Sequence, residues 1–315
     1  MPKGKVLKST GKWYIVELED GSIVNARIRG KIRLEGLKTT NPIAVGDIVV
    51  LTKDTDDEGN RMIDSFEKRT NYIVRKSTNL SKQMQILAAN IDRAYLVITL
   101  KNPTIHLAFI DRFLVSAESF RIPTTILINK IDLYSEDDLE YAKALQFMYG
   151  EIGYPVQLIS AENPATVNFL KADIIDQQVM ISGHSGVGKS TLVNALDKNL
   201  NLKTGEISHA HRQGQHTTTF AEMHPLASGG YIIDTPGIRA FGIVEIEKDV
   251  ISHYFPEMRE LLNQCKFHNC RHMNEPHCAV KTAVEEGAIF ESRYETYIQL
   301  MTEDQNENYR KSEHP

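Results

Sequence analysis

A chain of 315 residues with 41% apolar and 24% charged residues can build two or three packed domains and has the balance of a folded protein rather than a disordered one. No apolar run approaches the ~20 residues of a membrane helix, and the basic N-terminus lacks an apolar signal core, so the chain reads as a cytoplasmic monomer that meets no membrane. The net charge of -5 does not advertise nucleic acid, although residues 1–46 hold nine Lys/Arg against Glu17, Glu19, Asp20 and Glu35, which permits contact with RNA phosphates there.

The chain begins β-rich. Lys5–Leu7, Trp13–Val16, Ser22–Ile28, Asp47–Leu51 and Arg61–Ile63 predict about five short strands, with Asp20-Gly21 as a hairpin turn. Five strands with Gly-bearing connections suit an OB-fold-like barrel over residues 1–68, a common oligonucleotide platform. Arg27, Arg29, Lys31 and Arg33 alternate, placing four cations on one side of an extended segment, either to meet RNA or to guard a sheet edge. Residues 69–92 read as a connector.

From residue 93 an α/β rhythm sets in. Ala94–Leu100, Thr124–Ile128, Val156–Ile159 and Val179–Ile181 are buried-strand candidates. His106–Phe120, Glu136–Tyr149 and the stretch after Lys189 have helical spacing, with a short segment at Ala165–Leu170. Alternation of this kind predicts a doubly wound parallel sheet with ligands at the strand C-terminal ends. A polar stretch over 203–215 follows, then Thr217–Thr219 opening a strand, and Tyr231–Ile233 as another. Residues 249–263 and 279–301 look helical, flanking a ligand-rich loop, and 304–315 form a polar tail. The expected domains are therefore 1–68, a connector over 69–92, an α/β domain over 93–245 and a helical metal-binding domain over 246–303.

The motifs say what this sheet carries. Gly183-His184-Ser185-Gly186-Val187-Gly188-Lys189-Ser190-Thr191 follows an apolar strand and opens a helix, the setting of a phosphate-binding P-loop. Its glycines let successive N–H groups turn inward as an anion nest, and the helix start adds its positive dipole end. Lys189 would reach the β- and γ-phosphates, and Ser190 would ligate Mg²⁺.

Asn129-Lys130-Ile131-Asp132 follows the Thr124–Ile128 strand. A carboxylate at Asp132 accepts from guanine N1–H and the N2 amine, donors that adenine lacks. Asn129 and Lys130 would brace the loop and cover the base; an N-cap is the plainer role for Asp132. Ser160-Ala161 would add a backbone N–H to guanine O6. Asp234-Thr235-Pro236-Gly237 ends a strand as a metal-side acidic motif does, with Asp234 toward Mg²⁺ and the Gly237 N–H toward the γ-phosphate; a Pro-Gly turn is the alternative. Among Thr217–Thr219, Thr218 is the choice for a second Mg²⁺ hydroxyl.

The guanine elements precede the P-loop, whereas in a Ras-like chain they come last, so the order is that of a circularly permuted GTPase. Cys265-x4-Cys270-x-His272-x5-Cys278 supplies three thiolates and an imidazole, the donor set of a structural zinc site, with His268 and His277 nearby as rival ligands.

Together these parts closely resemble the bacterial ribosome small-subunit-dependent GTPase A family, over nearly the whole chain. Phrases such as Ile86–Asp92, Gly214–Thr219 and Asp234–Arg239 are similar to that family's own. The resemblance implies a barrel, a permuted GTPase and a zinc domain acting with the small (30S) ribosomal subunit and its 16S rRNA in late maturation. It implies GTP hydrolysis to GDP that is slow alone and stimulated by the subunit. Ras-like enzymes place a water-orienting Gln just after the Gly of Asp-x-x-Gly; Ile238 stands there and cannot hydrogen-bond water. His216, the family's usual candidate, has the chemistry to orient water, and would join Lys189 and Thr218 in the catalytic set. An RNA-binding adaptor that uses GTP as a switch with little turnover is the alternative.

Overall fold

The computed structural model describes residues 1–29, 42–76, 84–200, 221–234 and 246–303. Strands β1 (Lys3–Ser9), β2 (Tyr14–Leu18), β3 (Ile23–Ile28), β4 (Ile48–Thr55) and β5 (Arg61–Phe66) pair in the order β1-β2-β3-β5-β4, and β4 returns to β1. That closure is the OB-type barrel, in which each of the five described strands has two barrel neighbours. Period-two alternation sends Val6, Tyr14, Val16, Val49, Leu51 and Ile63 into one core. Two of the alternating cations are already paired: Arg27 lies over the Trp13 ring, 3.5 Å from its centroid, and meets Glu58 at 2.6 Å, while Arg29 reaches Asp64 at 3.5 Å. Lys31 and Arg33 lie outside the described residues.

The connector holds a hairpin that its composition does not advertise, β6 (Tyr72–Lys76) against β7 (Met84–Ala89). It docks on the barrel through Gly46, where φ is +88° and a Cβ would sit 2.2 Å from the Ala89 carbonyl oxygen. Arg69 clamps the buried Asp47 with two bonds, Nε to Oδ1 at 2.7 Å and Nη2 to Oδ2 at 2.6 Å.

The central sheet runs β10 (Val156–Leu158), β9 (Thr124–Ile128), β8 (Arg93–Ile98), β11 (Gln178–Ser182), β13 (Tyr231–Asp234) and β12 (Glu222–Pro225), parallel except for β12. Alternate residues serve opposite faces. Ala94, Leu96 and Ile98 pack with α1 (Leu107–Ser119) and α2 (Glu136–Ile152); Tyr95 and Val97 pack with α3 (Pro164–Asp173) and α4 (Lys189–Leu196). The sheet is thus doubly wound, in circularly permuted order. Barrel and sheet join where β1 meets β12 at Lys8↔Glu222, with their side chains paired at 3.0 Å. Glu222 also stands opposite Asp234, so the barrel shares a rung with the acidic strand end.

The C-terminal region departs from the expected long helices. Residues 249–263 form 3-10 turns over Lys248–Tyr254 and Leu262–Gln264 around a four-residue α5 (Pro256–Arg259). Pro256 has no N–H to continue the preceding turn, so the chain restarts there. The stretch over 279–301 splits into α6 (Ala279–Glu285) and α7 (Glu291–Thr302). Gly287, at φ +76°, ends α6 by donating to Val284 O at 3.1 Å while Ala288 donates to Ala283 O at 2.8 Å, the two bonds of a Schellman cap.

This region is bolted to α1. The fully buried Arg293 of α7 donates Nη1 to Asp111 Oδ1 at 2.8 Å and Nε to Glu257 Oε1 at 2.7 Å. Thr296 and Tyr149 donate to the two Asp111 oxygens at 2.8 and 2.9 Å. Asp111→Ala strands a buried guanidinium with half its partners, and is expected to lower stability by about 3 kcal/mol, read as a lower urea midpoint at unchanged slope.

Candidate nucleotide site and metal centre

The C-terminal ends of β8, β9, β10 and β11 gather four loops at one edge of the sheet. The loop after β11 turns on glycines that nothing else replaces. At Gly183, with φ +146°, a Cβ would lie 2.1 Å from the Val97 carbonyl oxygen; at Gly188, with φ +95°, it would lie 2.4 Å from Asn129 Nδ2. Val187 is sealed in the core between them. Gly188 caps α4, so Lys189, Ser190 and Thr191 make its first turn, with Ser190 buried and Lys189 and Thr191 half-buried. A helix start preceded by a glycine-rich loop is suited to an anion. Lys189 folds back over the loop, donating Nζ to Gly183 O at 2.8 Å and His184 O at 2.5 Å. His184, Ser185 and Gly186 are exposed, the His184 ring resting edge-on against Phe109 at 4.1 Å. Although the residue as a whole is exposed, partial desolvation of its ring, and then the Lys189 charge, lower the His184 pKa from its ordinary value.

Asn129 joins three of these loops. Its Nδ2 donates to Val187 O in the P-loop at 2.8 Å, and its Oδ1 accepts from the Ala161 N–H at 2.9 Å. Both bonds are buried, where a lost partner is most costly. Lys130 adopts φ +66° and donates Nζ to Asn102 O at 2.7 Å. Asp132 sits exposed on the 3-10 turn Ile131–Leu133. The Ser160 N–H is donated to Thr166 Oγ1 at 2.9 Å, so neither it nor the Ala161 N–H lacks an acceptor, and a base oxygen would have to share one of them. Ser160 Oγ is buried with no protein partner, the kind of group a polar ligand satisfies.

The sequence does not mark the loop after β8 as part of this site, yet it forms a wall. Pro103 Cδ lies 3.6 Å from where a Gly186 Cβ would stand, and Thr99 donates to Pro103 O at 2.7 Å. Lys101 pairs with Asp138 at 2.5 Å; that lysine, with the Ser135 hydroxyl, holds the Asp138 carboxyl down to about 2. A proline just past a buried strand was the available signal. Asp234 closes β13, while His216, Thr218, Gly237 and Ile238 lie outside the described residues.

Farther along the chain, Cys265, Cys270, His272 and Cys278 bring one ligand atom each within 4.8 Å of one another. His272 Nδ1 lies 3.6 Å from Cys265 Sγ and 3.3 Å from Cys278 Sγ, close to the ~3.6 Å edge that a tetrahedral Zn²⁺ with the usual bond lengths requires. His268 and His277 are exposed and stand outside the group. Glu275 fixes the intervening turn by accepting from the Arg271, Met273 and Asn274 N–H groups at 2.9–3.1 Å. Tyr294 and Tyr297 of α7 donate to the His272 and Arg271 carbonyls, each at 2.6 Å. Burial pushes the Cys270 thiol up to about 12 and Cys278 upward as well; a bound cation reverses that by favouring thiolates. The donor set and its spacing fit a metal.

Comparison with known proteins decides the family. The model described as RsgA GTPase matches residues 66–244, and that described as RsgA N-terminal domain matches 3–60. A small ribosomal subunit biogenesis GTPase RsgA from Christiangramia forsetii is 51% identical, with 98% of each chain covered. The chain belongs to the RsgA GTPase family. A Bacteroides fragilis relative of the same description is 49% identical over 98% of this chain and 99% of its own. Among solved structures, YjeQ from Thermotoga maritima has a TM-score of 0.76 at 36% identity, covering 95% of this chain and 97% of that one. YloQ, described as a circularly permuted GTPase, has a TM-score of 0.74 at 31% identity, covering 100% and 96%. As a member of the RsgA family the chain is a GTP-hydrolysing enzyme, a class that uses Mg²⁺. Among the described residues no helix is long and apolar enough to cross a membrane.

Proposed function

We propose that this protein hydrolyses GTP in the service of late maturation of the small (30S) ribosomal subunit, as its relatives' names indicate for them. In this reading it works in the cytoplasm, slowly alone and faster on that subunit. The observation that carries the nucleotide assignment is Asn129, whose amide joins the P-loop, the Asn-Lys-x-Asp turn and the Ser160-Ala161 loop. The phosphates belong to residues 183–191 and the Gly237 N–H, and Mg²⁺ to Ser190, Thr218 and Asp234. Asn129, Lys130, Asp132, Ser160 and Ala161 take the guanine. Lys189, Thr218 and His216 make the catalytic set, with His216 orienting the water that Ile238 cannot. The barrel over 1–68 faces 16S rRNA, residues 69–92 link it to the GTPase domain over 93–245, and 246–303 form the metal domain before the tail at 304–315.

Turnover measured with and without purified small subunits tests this. The expected result is stimulation of about tenfold or more, modest beside the 10³–10⁵ that a supplied catalytic group can give. Ile238 also favours a second reading, an adaptor in which GTP only switches conformation. Equal, negligible turnover in both assays would establish that one instead.

The metal is read as zinc held by Cys265, Cys270, His272 and Cys278, bracing the fold because four protein ligands leave no open position. A zinc chelator is expected to release about one equivalent of metal per chain and to expose α6 and α7 to amide exchange. Elemental analysis that finds no stoichiometric metal in the purified protein would end this assignment.

A further inference from the structure

Strands β8 and β9 run parallel in register as far as Ile98↔Ile128, and the Asn129 N–H makes the next ladder bond, to Ile98 O at 2.8 Å. In a parallel ladder a residue donates to one neighbour-strand carbonyl and accepts from the N–H two residues farther on. The rung due next therefore joins the Leu100 N–H to Asn129 O. That rung is not made directly. The Tyr134 hydroxyl stands in it, accepting from the Leu100 N–H at 2.7 Å and donating to Asn129 O at 2.8 Å.

We propose that Tyr134 is a positioning residue for guanine-nucleotide recognition, its phenol oxygen holding the ends of β8 and β9 apart at the mouth of the site. This rests on the assignment of Asp132 and its neighbours to guanine. The geometry gives the oxygen a specific task. A main-chain rung would draw the two strand ends together by the width of one oxygen. Asn129 is the residue at that point, and its side chain must reach Val187 O on one side and the Ala161 N–H on the other. The opposing wall carries Asn102, whose carbonyl holds the Lys130 ammonium. Tyr134 lies only two residues beyond Asp132, at the end of the same 3-10 turn, so its anchor also sets where that carboxylate stands. Burial raises the Tyr134 pKa above its ordinary value, which keeps the hydroxyl protonated and able to donate at working pH.

Tyr134→Phe removes one oxygen from a half-buried ring and leaves two outcomes, both adverse to the site. Either the rung closes and pulls Asn129 off its partners, or the Leu100 N–H and Asn129 O both go unpaired. GDP and IDP, which lacks the N2 amine, are titrated into wild type and variant by calorimetry, with GTP turnover measured beside them. The expected result is GDP binding weakened at least tenfold, a smaller GDP/IDP ratio, and a raised KM at nearly unchanged kcat. The nucleotide-free protein should melt somewhat lower, because main-chain or Asn129 groups lose a partner, but a merely structural loss would not change the GDP/IDP ratio of the folded protein. 4-Aminophenylalanine at position 134, whose amine still donates to Asn129 O but accepts only weakly from the Leu100 N–H, should give an affinity and ratio between those of wild type and Tyr134→Phe. It serves in place of that variant should Tyr134→Phe not fold, wild-type values in it then overturning the inference. Wild-type affinity and ratio in Tyr134→Phe, or equal weakening of both nucleotides, overturns the inference. A wild-type protein that does not prefer GDP to IDP instead overturns the guanine assignment on which it rests.

Discussion

Lys189→Ala is expected to abolish measurable GTP turnover and to weaken GTP binding by about 10³-fold. The lysine has two jobs in the structure. Its ammonium ties the Gly183 and His184 carbonyls together at 2.8 and 2.5 Å. When a triphosphate arrives, the same ammonium can exchange those carbonyls for phosphate oxygens. Charge-assisted hydrogen bonds contribute about 1.5–3 kcal/mol each, so losing one contact to the β- and one to the γ-phosphate accounts for the expected factor. Fluorescence titration with a labelled guanine nucleotide reads the binding. A variant that binds GTP within tenfold of wild type would move the phosphates away from this loop. The fold itself should survive, because Lys189 is half-buried and the loop's shape rests on Gly183, Gly188 and the sealed Val187.

What could be read from the chain, and what could not, divides along contact distance. The P-loop, the Asn-Lys-x-Asp turn and the Cys₃His cluster are contiguous or nearly so, and each spacing encodes its own chemistry. The barrel strands were legible because one face of each is buried and period-two alternation survives. The links between these parts were not. Arg293 meets Asp111 across 182 positions, and a buried arginine is indistinguishable in sequence from an exposed one on a helix. Tyr134 looks like an ordinary loop aromatic until the β8–β9 register shows that its oxygen occupies a rung. The split of residues 279–301 was open to reading, since Gly287 is a helix stop signal. The broken turns over 248–264 depend on Pro256, but also on packing of Ile251, Phe255 and Met258 into the C-terminal core.

Asp132→Asn is expected to exchange the preferred nucleotide from GTP to XTP, a swing of about 10⁴ in relative affinity. In the proposed site the carboxylate would accept from two guanine donors, N1–H and the N2 amine. Xanthine presents an oxygen where guanine has the amine, and against Asp132 that places acceptor against acceptor beside a negative charge. Replacing the carboxylate by an amide removes the charge and supplies an N–H at that place, so the mismatch passes from xanthine to guanine. Sites built around buried hydrogen bonds discriminate by 10⁴–10⁵ for this reason. Asp132 is exposed on a short 3-10 turn, and its full effect depends on the base covering it, with the Lys130 stem as the other side of the sandwich. The swing should therefore appear in nucleotide competition while the nucleotide-free protein keeps its stability. Turnover of XTP by the variant, at a rate near that of GTP by wild type, would show that the phosphate half of the site works independently of the base. Retention of GTP preference by Asp132→Asn would sink the guanine assignment and leave only the triphosphate loop standing.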